Sequence, residues 1–181
     1  NGWEQKDGAW YYYANGEKAT GWKQLSDGNW YYFNSDGKMQ TGWLKLGKYW
    51  YYLNGSGIMV TGWQKLADGN WYYFDGSGVM QTGWLNRGGN WYYLNSSGIM
   101  QTGWQNVNGN WYYLNSKGAM QTGWLLKEGK YYFLNTDGTM AYGWVNSQGS
   151  WYYFQKPDGD MLTNAYAPDG RYVNAEGVLI Q

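Results

Sequence analysis

The chain contains no cysteine and no histidine among its 181 residues. Without cysteine there are no disulfide bonds and no thiolate chemistry, and without histidine there are no Ser-His-Asp triads and few of the usual zinc sites. Lys plus Arg and Asp plus Glu each number 13, so the formal net charge is zero, which argues against nucleic-acid binding. No run of 18 apolar residues occurs, so we expect no membrane insertion.

Aliphatic residues are also scarce, because Leu, Ile, Val and Phe together account for only 26 positions. That scarcity alone is typical of a disordered chain, but zero net charge and an aromatic content of 22% are not. The 15 Trp and 21 Tyr residues are numerous enough to fill a core and also to expose ring faces. The 29 glycines indicate frequent turns.

A repeat of about 20 residues runs along the chain. Gly-Trp pairs recur, ending at Trp3, Trp22, Trp43, Trp63, Trp84, Trp104, Trp124 and Trp144. Each is followed by a Trp-Tyr-Tyr cluster or a close variant, beginning at Trp10, Trp30, Trp50, Trp71, Trp91, Trp111, Tyr131 and Trp151. A Gly and then a Met close most units, at Met39, Met59, Met80, Met100, Met120, Met140 and Met161.

Each unit is predicted to be one β-hairpin. The clusters are rich in strand-forming residues, and Gly-containing turns such as Asn108-Gly109 separate them from the preceding Gly-Trp segment. A single hairpin is not stable in water, whereas stacked hairpins bury their aromatic faces against one another. The expected fold is therefore all-β, a solenoid of stacked hairpins.

The last part of the chain departs from the repeat. Asn164-Ala165 takes the Gly-Trp place in our alignment, and both prolines, Pro157 and Pro168, lie here. We predict hairpin repeats over residues 1–155 and a degenerate terminal cap over residues 156–181. The first residue is Asn1 rather than Met, so we expect a mature or excised piece of a longer protein.

The recurrence of Trp and Tyr at fixed spacing suggests a role beyond packing, because Leu or Ile would serve a plain core. Strand alternation places the first and third cluster residues on one face and the middle residue on the other. Grooves walled by such rings suit a quaternary ammonium held by cation–π attraction, or a sugar stacked on a ring. A thioether beside the rings favours the first ligand mildly, although Met also serves simply as a gap-filler.

The order Thr-Gly-Trp, Gly-x-Trp-Tyr-Tyr-Leu-Asn, Gly-x-Met-x-Thr-Gly-Trp resembles the choline-binding repeat of Gram-positive surface proteins and phage lysins, notably those of pneumococci. The resemblance extends from Gly2 to about Met161. It implies a left-handed superhelix of hairpins and choline as the ligand, without metal or other cofactor. It also implies an extracellular module that attaches its protein non-covalently to choline and phosphocholine on teichoic and lipoteichoic acids. In such proteins a separate functional module, N-terminal or C-terminal to the repeats, is expected.

The resemblance implies aromatic cages between consecutive hairpins. Two walls come from one hairpin, and we assign the third wall to the third cluster residue of the next. The predicted trios are Trp3, Trp10 and Tyr32; Trp22, Trp30 and Tyr52; Trp43, Trp50 and Tyr73; Trp63, Trp71 and Tyr93; Trp84, Trp91 and Tyr113; Trp104, Trp111 and Phe133; Trp124, Tyr131 and Tyr153. The pair Trp144 and Trp151 meets only Tyr172. The accompanying methionines are Met39, Met59, Met80, Met100, Met120 and Met140.

Besides a purely structural spacer or adhesin stalk, which is compatible with choline binding, two other functions remain open from the sequence. One is carbohydrate binding, since related aromatic hairpin repeats bind glucans or glycan receptors. The other is catalysis, but most aspartates, such as Asp27 and Asp68, directly precede a turn glycine, which explains them as turn residues. We therefore predict no catalytic residues in this chain.

Overall fold

The computed structural model describes residues 1–180, and these contain strands and turns but no α-helix. The nineteen strands are β1 (Gly2–Lys6), β2 (Ala9–Ala14), β3 (Glu17–Lys18), β4 (Gly21–Gln24), β5 (Trp30–Phe33), β6 (Gly42–Leu46), β7 (Tyr49–Leu53), β8 (Gly62–Lys65), β9 (Trp71–Phe74), β10 (Gly83–Arg87), β11 (Asn90–Leu94), β12 (Gly103–Val107), β13 (Asn110–Leu114), β14 (Gly123–Lys127), β15 (Lys130–Leu134), β16 (Gly143–Ser147), β17 (Ser150–Phe154), β18 (Ala165–Tyr166) and β19 (Tyr172–Val173). The all-β prediction is confirmed.

Each repeat forms one antiparallel hairpin, in which the Gly-Trp strand pairs with the cluster strand that follows it. In the hairpin of β6 and β7, Trp43 lies opposite Tyr52 and Lys45 lies opposite Trp50. Strand β3 adds a short third strand to the hairpin of β1 and β2. The register thus brings the Gly-Trp tryptophan beside the third cluster residue of its own hairpin.

The chain forms two compact units, each a stack of hairpins. The first comprises residues 1–83 and 94–100, and the second comprises residues 84–93 and the stretch from residue 101 onward. In the first unit, the backbone N–H of Met39 donates to the carbonyl of Trp10 over 2.8 Å. In the second, the N–H of Met140 donates to the carbonyl of Trp111 over 2.7 Å. These bonds join consecutive hairpins, as a solenoid requires.

One cluster position supplies the centre of the core. The fourth residue, which follows the aromatic triplet, is at most 1% exposed in seven repeats: Phe33, Leu53, Phe74, Leu94, Leu114, Leu134 and Phe154. Val173 takes the same place in the last hairpin and is also fully buried. A single such residue per repeat explains how so few aliphatic side chains suffice. The tryptophans, in contrast, stay partly exposed.

The register of the last hairpin corrects one alignment made from the sequence. Ala165 lies opposite Val173 and Tyr166 lies opposite Tyr172. In the preceding hairpin, Gly143 lies opposite the buried Phe154. Ala165 and Tyr166, rather than Asn164 and Ala165, therefore take the Gly-Trp place. The boundary between repeats 1–155 and a cap at 156–181 stays a prediction.

Candidate ligand-binding grooves

Each groove begins with one face of a hairpin. On the hairpin of β6 and β7, the rings of Trp43 and Trp50 stand at 90° with their centroids 6.0 Å apart. Tyr52 closes the same face, 5.3 Å from Trp43. Trp43 and Trp50 remain 41% and 37% exposed. Two perpendicular indole faces are thus open on one side.

The next hairpin presents its opposite face to these rings. The middle cluster residue, Tyr72, lies 5.1 Å from Trp43, and the buried Phe74 lies 5.9 Å from it. The resulting groove has a volume of about 410 Å³ and is lined by Trp43, Trp50, Tyr72 and Met80. Ser96 and Ser97 complete its lining, and they come from the second turn of the repeat that follows the one containing Tyr72.

The same arrangement recurs at the start of the first unit. Trp3, Trp10, Tyr31 and Met39 line a groove of about 430 Å³, which Gly55 and Ser56 complete. The ring of Tyr31 lies 5.1 Å from that of Trp3. A third pair in this unit, Trp22 and Tyr51, is also 5.1 Å apart.

The second unit contains two further grooves of this kind. One is lined by Trp104, Trp111, Tyr132 and Met140, together with Lys130, Pro157 and Asp158, and has a volume of about 330 Å³. The other is lined by Trp124, Tyr131, Tyr152 and Met161, together with Gly129, Thr163, Ala175 and Glu176, and has a volume of about 540 Å³. Trp84 and Tyr112 form another ring pair, 4.7 Å apart. These volumes are in the usual range for small-ligand sites.

The structure corrects the third wall of the predicted cages. In the grooves and ring pairs described above, the ring from the next hairpin is the middle cluster tyrosine, at 4.7–5.1 Å from the Gly-Trp tryptophan. The third cluster residues Tyr32, Tyr52, Tyr73, Tyr93, Tyr113, Phe133 and Tyr153 instead pack at 5.1–5.4 Å on Trp22, Trp43, Trp63, Trp84, Trp104, Trp124 and Trp144 of their own hairpins. The physical reason is stacking: the face of one hairpin meets the opposite face of the next.

The methionines are placed by the backbone bonds that join consecutive hairpins. Met39, Met80 and Met140 line the grooves described above, and so does Met161, which the sequence reasoning left out of the candidate site. Met59, Met100 and Met120 make the equivalent N–H bonds, each of 2.8 Å, to the carbonyls of Trp30, Trp71 and Trp91. A ligand role for these three, and the cage predicted at Trp63 and Trp71, stay predictions.

The second turn of the repeat after next contributes residues that the sequence reasoning also missed. These residues are Ser56 and Ser97 in the first unit and Asp158 and Glu176 in the second. Of these four side chains, the two in the first unit are neutral and the two in the second unit are acidic. At the Trp104 groove, Lys130 is paired with Asp160 (Nζ to Oδ2, 3.1 Å), and the hydrogen bond from Lys130 to Asp160 raises the pKa of this lysine.

Two of the middle tyrosines are fixed by an aspartate in the first turn. Tyr31 donates its hydroxyl to Asp27 over 2.7 Å, and Tyr72 donates to Asp68 over 2.6 Å. Burial, followed by the hydrogen bond to Asp68, raises the pKa of Tyr72 to about 12. The same bond lowers the pKa of Asp68. These tyrosines are thus neutral, oriented walls at physiological pH.

The last hairpin offers a different partner to the preceding one. Near Trp144 the middle cluster place is held by Arg171, whose Cζ lies 4.1 Å from the indole centroid. Tyr172, the ring named for this groove from the sequence, packs at 4.9 Å on Tyr166 of its own hairpin. Trp144 therefore meets a guanidinium where the other Gly-Trp tryptophans described above meet a tyrosine ring.

The described residues contain no group of three His, Cys, Asp or Glu side chains arranged to hold a metal ion. Residues 1–180 also form no helix that is long and apolar enough to cross a membrane. Each of the four grooves is lined by aromatic rings and one methionine, and in three of them the two rings of one hairpin stand nearly perpendicular. Such faces attract a cation through the ring quadrupole, without a charged partner.

The sequence matches the choline-binding repeat family over residues 19–61, 60–102, 101–137 and 127–166. Residues 1–18 match a putative cell wall binding repeat. No curated protein matches this chain significantly. Because the matched segments span most of the sequence, the chain belongs to the choline-binding repeat family.

Solved structures from Streptococcus pneumoniae share the fold. CbpJ is 40% identical with a TM-score of 0.88, over 95% of this chain and 62% of that protein. Choline binding protein F is 42% identical with a TM-score of 0.86, over 95% and 61%. The choline-binding domain of CbpL is 34% identical with a TM-score of 0.71, over 99% and 97%. The chain thus spans about three fifths of the first two proteins and nearly all of the third, and its fold is the β-hairpin solenoid of choline-binding proteins.

Proposed function

We propose that this chain is a cell-wall-binding module that anchors its parent protein by holding choline groups in the grooves between consecutive hairpins. The observation that carries the proposal is the quartet of two rings from one hairpin and a Tyr and a Met from the next. It recurs at Trp3, Trp43, Trp104 and Trp124, in both compact units. Family membership supports choline as the ligand.

The lining of the Trp43 groove suits a quaternary ammonium better than a sugar. In the groove of Trp43, the hydrogen-bonding groups of the lining side chains are the indole N–H groups of Trp43 and Trp50 and the hydroxyls of Tyr72, Ser96 and Ser97. The Tyr72 hydroxyl is already bonded to Asp68, and the lining has no carboxylate or amide side chain to accept from a sugar hydroxyl. A sugar needs several donors and acceptors to replace the water it loses. The methyl groups of an ammonium need only apolar contact and the negative faces of the rings.

Each groove is expected to bind weakly and the array strongly. A cation–π contact contributes about 0.5–2 kcal/mol, and ordering the ligand offsets part of the sum. Single sites should therefore have dissociation constants of about 1 mM. Several grooves tethered on one chain raise the effective affinity for a polymer bearing many cholines by about 100-fold or more.

The polymers that fit this description are teichoic and lipoteichoic acids decorated with phosphocholine. The module then acts outside the cell, at the cell wall, without a covalent anchor. We assign it no catalytic residues and no cofactor, choline being the ligand. Any enzymatic activity would belong to another module of the parent protein.

Retention on a tertiary-amine resin tests the proposal. The purified chain should bind the resin in high salt, which suppresses simple ion exchange, and should elute with free choline. It should also bind walls carrying choline and not walls in which ethanolamine replaces choline. Elution by a glucan but not by choline would establish carbohydrate binding instead.

A further inference from the structure

At the end of the second unit, the indole face of Trp144 is covered by the chain's own Arg171. The buried residue of the last hairpin is Val173, which bridges to Leu179 as Phe154 bridges to Met161. Arg171, two residues before Val173, therefore takes the place of the middle tyrosine. In the preceding hairpin that place is held by Tyr152, a groove wall 4.7 Å from Trp124.

The guanidinium is held against the indole by a shared aspartate. Asp169 Oδ2 accepts hydrogen bonds from Arg171 Nη2 at 2.6 Å and Nε at 2.9 Å. The same oxygen accepts the indole N–H of Trp144 at 2.7 Å. With Cζ 4.1 Å from the ring centroid, the arginine stacks on Trp144 in a fixed position. A planar guanidinium suits such stacking better than an ammonium does.

This arrangement opposes a second cation in three ways. The Trp144 face is already covered by a positive group, which satisfies the quadrupole that choline would use. The aromatic wall that the other grooves take from the next hairpin is also missing, because Arg171 stands in the place of the middle tyrosine. Leu179 also takes the methionine place, since its N–H donates to the carbonyl of Trp151 over 2.8 Å.

We propose that Arg171 excludes choline from the Trp144–Trp151 groove, so that the array of binding grooves ends before its last tryptophan pair. The inference rests on the proposed function, because it names which groove does not take the ligand. Arg171 is thus a specificity-determining residue, and Asp169 is the positioning residue that holds it on the ring.

The test compares Arg171→Tyr with Arg171→Lys during choline titration. Indole N–H signals in nitrogen-15 spectra report each groove, and calorimetry gives the number of sites. In the unchanged protein, the Trp144 signal should stay in place while those of Trp43 and Trp104 move. Arg171→Tyr should add one site per molecule and make Trp144 respond. Arg171→Lys retains the positive charge and should add none.

A Trp144 signal that moves with the others in the unchanged protein would overturn the inference. So would a folded Arg171→Tyr protein, with its melting temperature unchanged, that gains no site. Failure of the proposed function reads differently, because Trp43 and Trp104 would then also stay in place. In that case Arg171 has no choline to exclude, and the inference falls with it.

Discussion

At the residue scale, six of the middle cluster tyrosines join the rings of one hairpin to those of the next. Tyr72 contacts Trp43 across the hairpin boundary, whereas its neighbour Tyr73 packs on Trp63 of its own hairpin. The two side chains therefore serve different grooves although they are adjacent in sequence. Substituting them separately distinguishes the observed wall from the one expected from sequence.

Tyr72→Leu should weaken choline binding at the Trp43–Trp50 groove about fivefold, because it removes one cation–π wall worth about 1 kcal/mol. The indole signals of Trp43 and Trp50 should then respond only at higher choline concentration. Tyr73→Leu is the matched control, and it should leave the response of those two signals unchanged. Equal effects of both substitutions on Trp43 and Trp50 would contradict the assignment.

Burial of Tyr72, together with its hydrogen bond to Asp68, makes the stability of the folded chain depend on pH. The pKa of Tyr72 is about 12 in the folded chain, against the ordinary value of 10.0. A tyrosine whose pKa rises on folding contributes to the stability of the folded chain. This contribution is fully present below the pKa of the unfolded chain and is lost as the pH rises through the pKa of the folded chain. We expect the loss between about pH 10 and 12.

Carbon-13 labelling of the tyrosine Cζ atoms tests this prediction. Tyr72 should ionise near pH 12, and Asp68→Asn should lower its pKa without restoring 10.0, because burial is the larger cause. Tyr72 ionising at pH 10 in the unchanged protein would show that the wall is solvated. Asp68 has the corresponding effect at low pH, because its pKa is lowered in the folded chain. The stability that its carboxylate contributes is fully present above the ordinary pKa of 3.8 and is lost as the pH falls through the lowered value.

At the scale of the hairpin element, the second turn is a packing site for the preceding repeat. Gly78 has φ of +79°, and a Cβ atom there would overlap the side chain of Met59. Gly76 lies in the same turn, where a Cβ atom would meet nothing within 4 Å. Gly78 is therefore required both for its positive φ and for the close approach of Met59, whereas neither reason applies to Gly76.

Gly78→Ala should lower the free energy of unfolding by about 1–3 kcal/mol, since strained backbone and displaced packing add. Gly76→Ala, its control in the same turn, should change that energy by less than about 1 kcal/mol. Urea unfolding without choline measures both variants. If the two cost the same, the close approach of consecutive repeats at this turn is refuted.

Much of the hairpin element could be predicted from the sequence. The alternation of glycine turns with aromatic clusters predicts the hairpins, and the spacing places Trp43 and Trp50 in one groove. The third wall could not be predicted from one strand's alternation, because it depends on how consecutive hairpins face each other. Stacking repeats in one orientation opposes unlike faces, so Tyr72 rather than Tyr73 faces Trp43. The turn residues that complete each groove belong to the second repeat after the one that supplies the two rings. A sequence pattern within one repeat therefore does not show that these residues meet.

At the scale of the whole molecule, ligand binding and stability are linked. Each choline would contact two hairpins that lie together only in the folded chain. A ligand that binds only the folded state stabilises it by RT ln(1 + [L]/Kd), about 1.4 kcal/mol per site at ten times Kd. A protein of this size gains about 2–4 °C per kcal/mol.

Choline at ten times its dissociation constant should therefore raise the melting temperature by about 3–6 °C for each groove that it occupies. Sodium chloride at the same ionic strength is the control and should raise it far less. Differential scanning calorimetry provides the measurement. A melting temperature that responds equally to both salts would mean that choline does not bridge the hairpins.

The central claim is that the grooves recognise the positive charge of a quaternary ammonium through their rings. The most direct test titrates protein labelled with nitrogen-15 tryptophan with choline and with 3,3-dimethylbutan-1-ol, its neutral carbon isostere. Choline should shift the indole signals of Trp43, Trp50, Trp104 and Trp111 at about millimolar concentration. The isostere should bind at least about fivefold more weakly, because it fills the same space without the charge. Equal binding of the two, or signals that respond only to a glucan, would contradict the account.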